Sequence, residues 1–211
     1  MTGRFKALIV DFGGVLTTPL QDAMAGYAKS LGIELQDLVR VALRAYAGED
    51  DNLVTGFETG RVPEEEFAVA FAERLSEVTP APVDPATVVD GLFAGMGLED
   101  EMIEAVAAAR AGGLKTALLS NSWSLRHYPR ARFDGIFDVT VISGEVGLRK
   151  PDPAIYDLAT ERLAVAPEEC VFVDDHPGHL KAAVARGMTT VLHKTPKQTI
   201  EELRDLLQIE L

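Results

Sequence analysis

The sequence predicts an α/β protein: a doubly wound, mainly parallel five-stranded sheet that carries an inserted α-helical domain. Short apolar runs alternate along the chain with amphipathic stretches, a pattern that favours a parallel sheet covered by helices. Glycines stand where several of the predicted helices end, shortly before the next apolar run. Residues 17–96 depart from this alternation, because they show helical patterning and almost no strand signal.

The elements of the sheet domain follow in chain order. The predicted strands are residues 6–10, 114–119, 138–142, 170–173 and 189–192. The predicted helices are residues 99–111, 152–164, 178–186 and 197–207. Gly112 and Gly187 stand at expected helix ends, each followed within a few residues by a strand. Because crossovers between parallel strands are right-handed, a doubly wound, Rossmann-like sheet follows.

The interval without strands is interpreted as a helical insertion. Its predicted helices are residues 20–31, 35–47, 63–77 and 85–94, with a Pro-rich connector at 77–85. The predicted domains are therefore a core of residues 1–16 and 97–211 and a helical cap of residues 17–96. Because the insertion starts just after the first strand, it is expected above the C-terminal edge of the sheet, where open α/β sheets bind ligands.

The composition argues against several classes of partner. With 33 acidic and 20 basic residues, the formal net charge is -13, which repels nucleic acid and anionic membrane surfaces. No apolar run approaches the roughly 18 residues that span a bilayer, and the N-terminal apolar stretch is short for a signal peptide. We therefore expect a cytoplasmic protein, either a monomer or a homodimer. The single cysteine, Cys170, lies in an apolar run and is interpreted as a small core residue.

Polar residues cluster where the predicted strands end. They are Asp11 after the first strand, Ser120 and Asn121 after the second, Asp174 and Asp175 after the fourth, and Lys150 in the loop before a helix. A parallel sheet gathers such positions along one edge. Two carboxylates about 4 Å apart repel by roughly 4 kcal/mol at an effective dielectric near 20, so the cluster needs a proton or a cation. Oxygen-only ligands favour a hard divalent ion such as Mg²⁺.

Four segments in this order resemble the motifs of a known family. DFGGVL, LLSNS, GLRKPDPAIY and VFVDDHPGHLKAA are similar to the four motifs of the haloacid dehalogenase-like (HAD) hydrolase superfamily, and in particular of its helical-cap phosphatases. The resemblance covers essentially the whole chain. It implies a Mg²⁺-dependent phosphohydrolase that acts on a small phosphorylated metabolite, a sugar phosphate being one option.

The resemblance also assigns roles to individual residues. It implies that Asp11 is the nucleophile that forms an aspartyl-phosphate, and that Lys150 neutralises charge during transfer. Ser120 and Asn121 would bind the phosphoryl oxygens through hydroxyl and amide donors.

A metal site is implied by the same motifs. Asp175 would be a direct ligand, Asp174 would give direct or water-mediated support, and Asp11 and the Gly13 carbonyl would complete the protein ligands. Gly13 and Gly14 would leave the turn open for the close approach of a phosphate to backbone N–H groups.

One position departs from the family pattern. Phosphatases of the superfamily usually have a second aspartate as general acid and base where this chain has Gly13. His127 and His176 are conceivable substitutes, although each is otherwise interpreted as a surface or loop histidine. Two alternatives stay open: a non-catalytic HAD-fold protein that binds a ligand or partner, and a 2-haloacid dehalogenase, which needs no metal.

Two further residues are candidates for substrate contact. Arg61 in the helical insertion could reach an anionic substrate or could be a solvated turn residue. Trp123, just after the second motif, could wall the pocket or could pack beneath the cap.

Overall fold

The computed structural model describes residues 4–47 and 53–211. Five strands form one sheet: β1 Ala7–Val10, β2 Lys115–Ser120, β3 Val139–Ile142, β4 Cys170–Asp174 and β5 Thr189–Leu192. Their order is β3-β2-β1-β4-β5, and every pair is parallel. The predicted fold class is therefore confirmed, with each strand within a residue or two of its predicted position.

The register of the central strands brings the polar strand ends together. In β1, Ala7 pairs with Lys115 on one side and with Cys170 on the other. All four residues of β1 and all five of β4 are buried, as expected for the middle of a parallel sheet. Asp11 directly follows β1, and its backbone N–H donates to the carbonyl of Val173 at 2.9 Å. The C-terminal ends of the strands thus form one edge.

Helices cover both faces of the sheet. Those of the sheet domain are α6 Asp100–Ala111, α7 Arg130–Phe133, α8 Ser143–Val146, α9 Pro153–Leu163, α10 Pro177–Ala185 and α11 Pro196–Leu207. Strand alternation packs Leu8 and Val10 in the layer with α6 and α11, and packs Ile9 in the layer with α9 and α10. No helix in the described ranges is long and apolar enough to cross a bilayer.

Helix starts follow from local sequence. A Pro stands at the first position of both α9 and α11, where its missing N–H costs nothing. The side chain of Asp152 accepts from the Ala154 N–H, and that of Thr195 accepts from the Gln198 N–H. These caps satisfy backbone donors that the helices leave open.

The insertion forms a helical layer with its own apolar cluster. Its helices are α1 Leu20–Ser30, α2 Leu35–Ala47, α3 Leu53–Glu58, α4 Glu64–Ser76 and α5 Val88–Phe93. The centre of the cluster is aromatic: the rings of Phe57 and Phe67 stack at 4.1 Å between centroids, and Phe71 stacks on Phe67 at 5.2 Å. The sequence pattern missed α3, which is only six residues long and contains Gly56.

The two chain segments that join the insertion to the sheet domain pair with each other. Thr17 and Leu98 form an antiparallel bridge. The Thr18 N–H donates to the Gly97 carbonyl at 2.9 Å, and the Gly97 N–H donates to Thr18 Oγ1 at 3.0 Å. The entry and exit of the insertion are thereby held side by side.

Candidate active site

A buried lysine lies at the centre of the strand-end cluster. Lys150 Nζ is 2.8 Å from Asp11 Oδ1 and 2.6 Å from Asp174 Oδ2, and Lys150 is 0% exposed. Its ammonium also lies 5.5 Å from the centroid of the Phe172 ring. Because a buried charge is costly without partners, the lysine depends on these carboxylates. One ammonium is therefore shared by two acidic groups.

Asn121 holds the backbone of this lysine. Its Oδ1 accepts from the Lys150 N–H at 2.8 Å, and its Nδ2 donates to the Lys150 carbonyl at 3.0 Å. The motif resemblance implies a phosphoryl-binding role for Asn121, but both polar groups of its side chain already bond to the backbone of Lys150. The side chain thus orients Lys150, a task that nothing in the sequence pattern indicated.

The negative charge of Asp174 is balanced by more contacts than that of Asp11. It is 0% exposed and accepts from Lys150 Nζ, from the His176 backbone N–H at 2.8 Å and from the ring of His179 at 3.0 Å. Burial alone would raise the pKa of Asp174, but Lys150 and His179 together hold that pKa well below its usual range. Asp174 therefore stays ionised. The sequence did not single out His179, whose contact depends on the first turn of α10.

Asp11 carries the less compensated charge. It is 7% exposed, and its Oδ1 accepts from the Phe12 backbone N–H at 2.7 Å. Burial raises the pKa of Asp11, and the nearby charges of Asp174 and Asp175 add to that rise against the opposing effect of Lys150. The charged form of Asp11 would therefore gain more from an additional cation than that of Asp174.

Gly14 makes room for Asp175. Gly14 has a φ of +73°, and a Cβ added there would lie 2.4 Å from Asp175 Oδ2. The Gly14 N–H donates to Thr17 Oγ1 at 3.0 Å. This N–H is therefore not free to bind a phosphate, contrary to the expectation from the sequence. The glycine is needed for its backbone conformation and for the close approach of the exposed Asp175.

Gly13 has neither constraint. Its φ lies outside the left-handed region, and a Cβ added at Gly13 would meet no atom within 4 Å. The position at which the motif resemblance implies a general acid is therefore open to a side chain.

This contrast between the two glycines predicts opposite outcomes for matched substitutions. We expect Gly14→Ala to destabilise the protein by about 1–2 kcal/mol because of its left-handed backbone, and to displace Asp175. We expect Gly13→Ala to leave the free energy of unfolding unchanged or slightly higher. Urea unfolding of both variants measures the difference. Equal stability of the two would contradict the described backbone conformation.

The carboxylates fit a divalent cation. Asp11, Asp174 and Asp175 bring three negative charges to one strand edge, against the single buried ammonium of Lys150. Ligand atoms of Asp11, Asp174 and His179 lie within 4.8 Å of one another. Because carboxylate oxygens dominate this set, a hard ion such as Mg²⁺ suits it better than a soft metal.

A small cavity of about 60 Å³ lies beside these groups, between the strand edge and the insertion. Gly13, Ser120 and Asn121 line it from the sheet domain, and Phe93 lines it from the insertion. Trp123 lines the same cavity and also packs against the apolar cluster of the insertion, with 6.0 Å between the centroids of its ring and that of Phe67, so it makes the contacts of both predicted roles.

A buried glutamate of the insertion anchors this wall. Glu58 is 2% exposed, and it accepts from Trp123 Nε1 at 2.8 Å and from Arg149 Nε at 2.6 Å. The sequence pattern does not predict a role for Glu58, because it does not predict α3 itself. Arg61, by contrast, is exposed, donates to Thr59 Oγ1 at 3.0 Å and is not among the residues that line the cavity.

Ser120 has a partner that the sequence missed. Its hydroxyl lies 2.8 Å from the hydroxyl of Tyr128, which is buried and packs against Phe12 with 4.7 Å between ring centroids and 34° between ring planes. Burial raises the pKa of Tyr128, so this phenol stays neutral. The pair offers neutral hydroxyl groups at the cavity wall.

The two histidines considered as substitute acids lie in different places. His176 is exposed and caps α10, with its Nδ1 accepting from the Gly178 N–H at 3.2 Å. His127 lines the cavity, stacks on Phe93 at 4.5 Å and has its Nε2 at 3.2 Å from Asp90 Oδ1. The structure thus brings His127, but not His176, to the cavity that Gly13 lines.

Comparison with known proteins finds relatives that match the whole chain or part of it. Acyl-CoA dehydrogenase family member 10 of Mus musculus is 30% identical over 214 residues, which cover 98% of this chain and 20% of that protein. Phosphoserine phosphatase of Thermus thermophilus is 35% identical over 115 residues, which cover 51% of this chain and 45% of that protein. The chain thus spans about a fifth of the length of the first relative and under half of the second.

A solved structure shares the fold. A HAD family enzyme of Bacteroides thetaiotaomicron, described in complex with magnesium and inorganic phosphate, has a TM-score of 0.65 at 21% identity, over 90% of this chain and 94% of that one. Residues 5–187, which contain all four motifs and the insertion, match the family model for haloacid dehalogenase-like hydrolases. With the strand-end carboxylates and Lys150 placed at one edge of a parallel sheet, the chain belongs to the haloacid dehalogenase-like hydrolase family.

Proposed function

We propose that this protein is a phosphohydrolase that transfers a phosphoryl group from a small phosphate ester to Asp11 and then hydrolyses the aspartyl-phosphate. The observation that carries the proposal is the position of Lys150, whose buried ammonium lies between Asp11 and Asp174. Asp174 takes the closer contact, which leaves Asp11 as the less compensated carboxylate. A carboxylate held next to a fixed cation suits covalent catalysis.

Each residue of the strand-end cluster has a separate proposed role in phosphoryl transfer. Asp11 attacks the phosphorus atom, and Lys150 stabilises the negative charge that develops on the transferring group. Ser120 supplies a hydroxyl donor to a phosphoryl oxygen at the end of β2. Asn121 fixes Lys150 through its two backbone hydrogen bonds and offers its own backbone N–H to the phosphoryl group.

The proposed metal is Mg²⁺. Asp11, Asp175 and the Gly13 carbonyl would hold it, and Asp174 would support the site, since Asp174 is committed to Lys150 and His179. When bound, the ion supplies positive charge that offsets the carboxylates and the phosphoryl oxygens. The relative from Bacteroides thetaiotaomicron, described with magnesium and inorganic phosphate, supports this assignment.

The helical insertion is the proposed cap. Residues 17–96 would close over a core of residues 1–16 and 97–211, with the connecting segments that pair at Thr17 and Leu98 as the joint. The cavity lined by Gly13 and Phe93 lies between the two parts and would receive the organic group of the substrate.

The proposal is tested by assaying the purified protein for phosphate release. We expect release from phosphate esters in millimolar Mg²⁺ and loss of at least about 10²-fold in excess EDTA, restored by added Mg²⁺, since the carboxylate cluster needs a compensating cation. Halide release from 2-chloropropionate, measured in parallel, distinguishes the dehalogenase alternative. Undiminished phosphatase turnover in EDTA would contradict the metal requirement, and binding without turnover would favour the non-catalytic alternative.

A further inference from the structure

The cavity beside Gly13 has an unusual lining for a site that receives a phosphorylated metabolite. Leu20, Phe93 and Met96 line it from the insertion, and Trp123 and Tyr128 line it from the sheet domain. Within the described residues, no Asp, Glu, Lys or Arg side chain lines it. The cavity is small, with a volume of about 60 Å³.

This lining excludes charged and bulky organic groups. A carboxylate or an ammonium moved from water into an apolar pocket loses its hydration without gaining a partner, which disfavours binding. Phosphoserine would bring both charges into the cavity. Flavin mononucleotide and hexose phosphates would bring groups much larger than the cavity. The cavity fits a small, uncharged and mainly apolar group.

The same cavity offers no free proton donor of suitable acidity. Gly13 has no side chain, and the hydroxyl of Tyr128 is a weak acid that is engaged with Ser120. In His127, Nε2 lies against Asp90, and Nδ1 is buried and without a partner in the described part of the chain. A leaving group here has to depart with its own electron pair and without protonation.

We propose, resting on the phosphohydrolase function above, that the substrate is an activated phosphate with a small uncharged organic group, namely an acyl phosphate or a small aryl phosphate. Asp11 forms a bond to phosphorus while the bond from phosphorus to the acyl or aryl oxygen breaks, and the electron pair stays on that oxygen as a carboxylate or phenolate. Water then cleaves the aspartyl-phosphate. The products are the organic anion, inorganic phosphate and a proton released to solvent.

The first experiment compares four probes in Mg²⁺: acetyl phosphate, phenyl phosphate, phosphoserine and flavin mononucleotide. Phosphate release is measured with wild type and with Asp11→Asn as the background. We expect kcat/KM for acetyl phosphate and phenyl phosphate to exceed the values for the other two by about tenfold or more. A kcat/KM for phosphoserine or flavin mononucleotide that equals or exceeds both would overturn this inference while leaving the phosphohydrolase function intact. No Asp11-dependent release from any probe would overturn both.

A pair of variants tests the cavity itself. Met96 is half-buried in the lining, so Met96→Arg adds a cation there, whereas Val69→Arg adds the same charge to α4 at a position 48% exposed and outside the lining. We expect Met96→Arg to shift the ratio of kcat/KM for phosphoserine over acetyl phosphate upward by about tenfold, and Val69→Arg to leave it unchanged. An equal shift in both variants, or none in either, would contradict the assignment of this cavity to the leaving group.

Discussion

Replacement of Asp11 by Asn is expected to lower phosphate release by at least about 10⁴-fold, the scale on which removal of a covalent nucleophile acts. The amide of Asn is a poor nucleophile, and it leaves Lys150 paired only with Asp174. The variant should remain folded, because Asn keeps the shape of Asp and removes a charge that burial makes costly. Steady-state assays and thermal unfolding of the same preparation measure the two effects.

Asp157→Asn is the matched control. Asp157 forms an exposed ion pair with Arg186 at 2.6 Å, so its loss changes the net charge equally without touching the strand-end cluster. We expect near wild-type turnover from this control. Acid quenching during turnover of a phosphate-labelled substrate should leave label on wild type and none on Asp11→Asn. Wild-type rates in Asp11→Asn would show that Asp11 is a ligand or a bystander rather than the nucleophile.

The positions of Asp11, Ser120 and Asp174 could be predicted from sequence because they depend on short-range order. A buried parallel strand is visible as an apolar run, and the rule that parallel strands end at one edge brings their terminal residues together. The register of β1 with its two neighbours confirms this placement. The positions of these residues therefore follow from the identity of the strands alone.

The contacts that shape the cavity could not be predicted in this way. Glu58 binds Trp123 and Arg149 across the interface between insertion and sheet domain, at sequence separations of 65 and 91 residues. Such contacts depend on how the insertion packs, which no local periodicity encodes. Tyr128 was missed for a related reason, since its hydroxyl reaches Ser120 through an irregular loop.

The two adjacent glycines differ in backbone conformation, which the sequence motif does not determine. The motif resemblance implies the same role for Gly13 and Gly14, that of leaving the turn open to a phosphate. In the structure only Gly14 has a left-handed backbone and a close neighbour, Asp175, whereas Gly13 has open space around it. Backbone dihedral angles separate the two residues, and an amino-acid sequence does not specify them at a Gly-Gly pair.

The open space at Gly13 predicts a strong dependence of kcat/KM on the acidity of the leaving group. Because this position lacks the general acid that the motif resemblance implies, kcat/KM of wild type should fall steeply as the leaving group becomes less acidic, from phenyl phosphate to methyl phosphate. We expect Gly13→Asp to raise kcat/KM for methyl phosphate by about 10²–10⁴-fold, the usual contribution of general acid–base catalysis, with little gain for phenyl phosphate. Since kcat/KM reports the steps up to phosphoryl transfer, slow hydrolysis of the aspartyl-phosphate does not obscure the comparison.

Gly13→Asn is the control for this effect, because Asn has the size of Asp but cannot serve as the acid. A Cβ at this position meets no atom within 4 Å and the φ is not left-handed, so both variants should fold. We expect kcat/KM of Gly13→Asn to fall as steeply with decreasing leaving-group acidity as that of wild type. We expect kcat/KM of Gly13→Asp to fall much less. A flat dependence already in wild type would mean that another residue delivers the proton. In that case His127, the histidine that lines the same cavity, becomes the residue to replace, and His127→Gln should then restore the steep dependence.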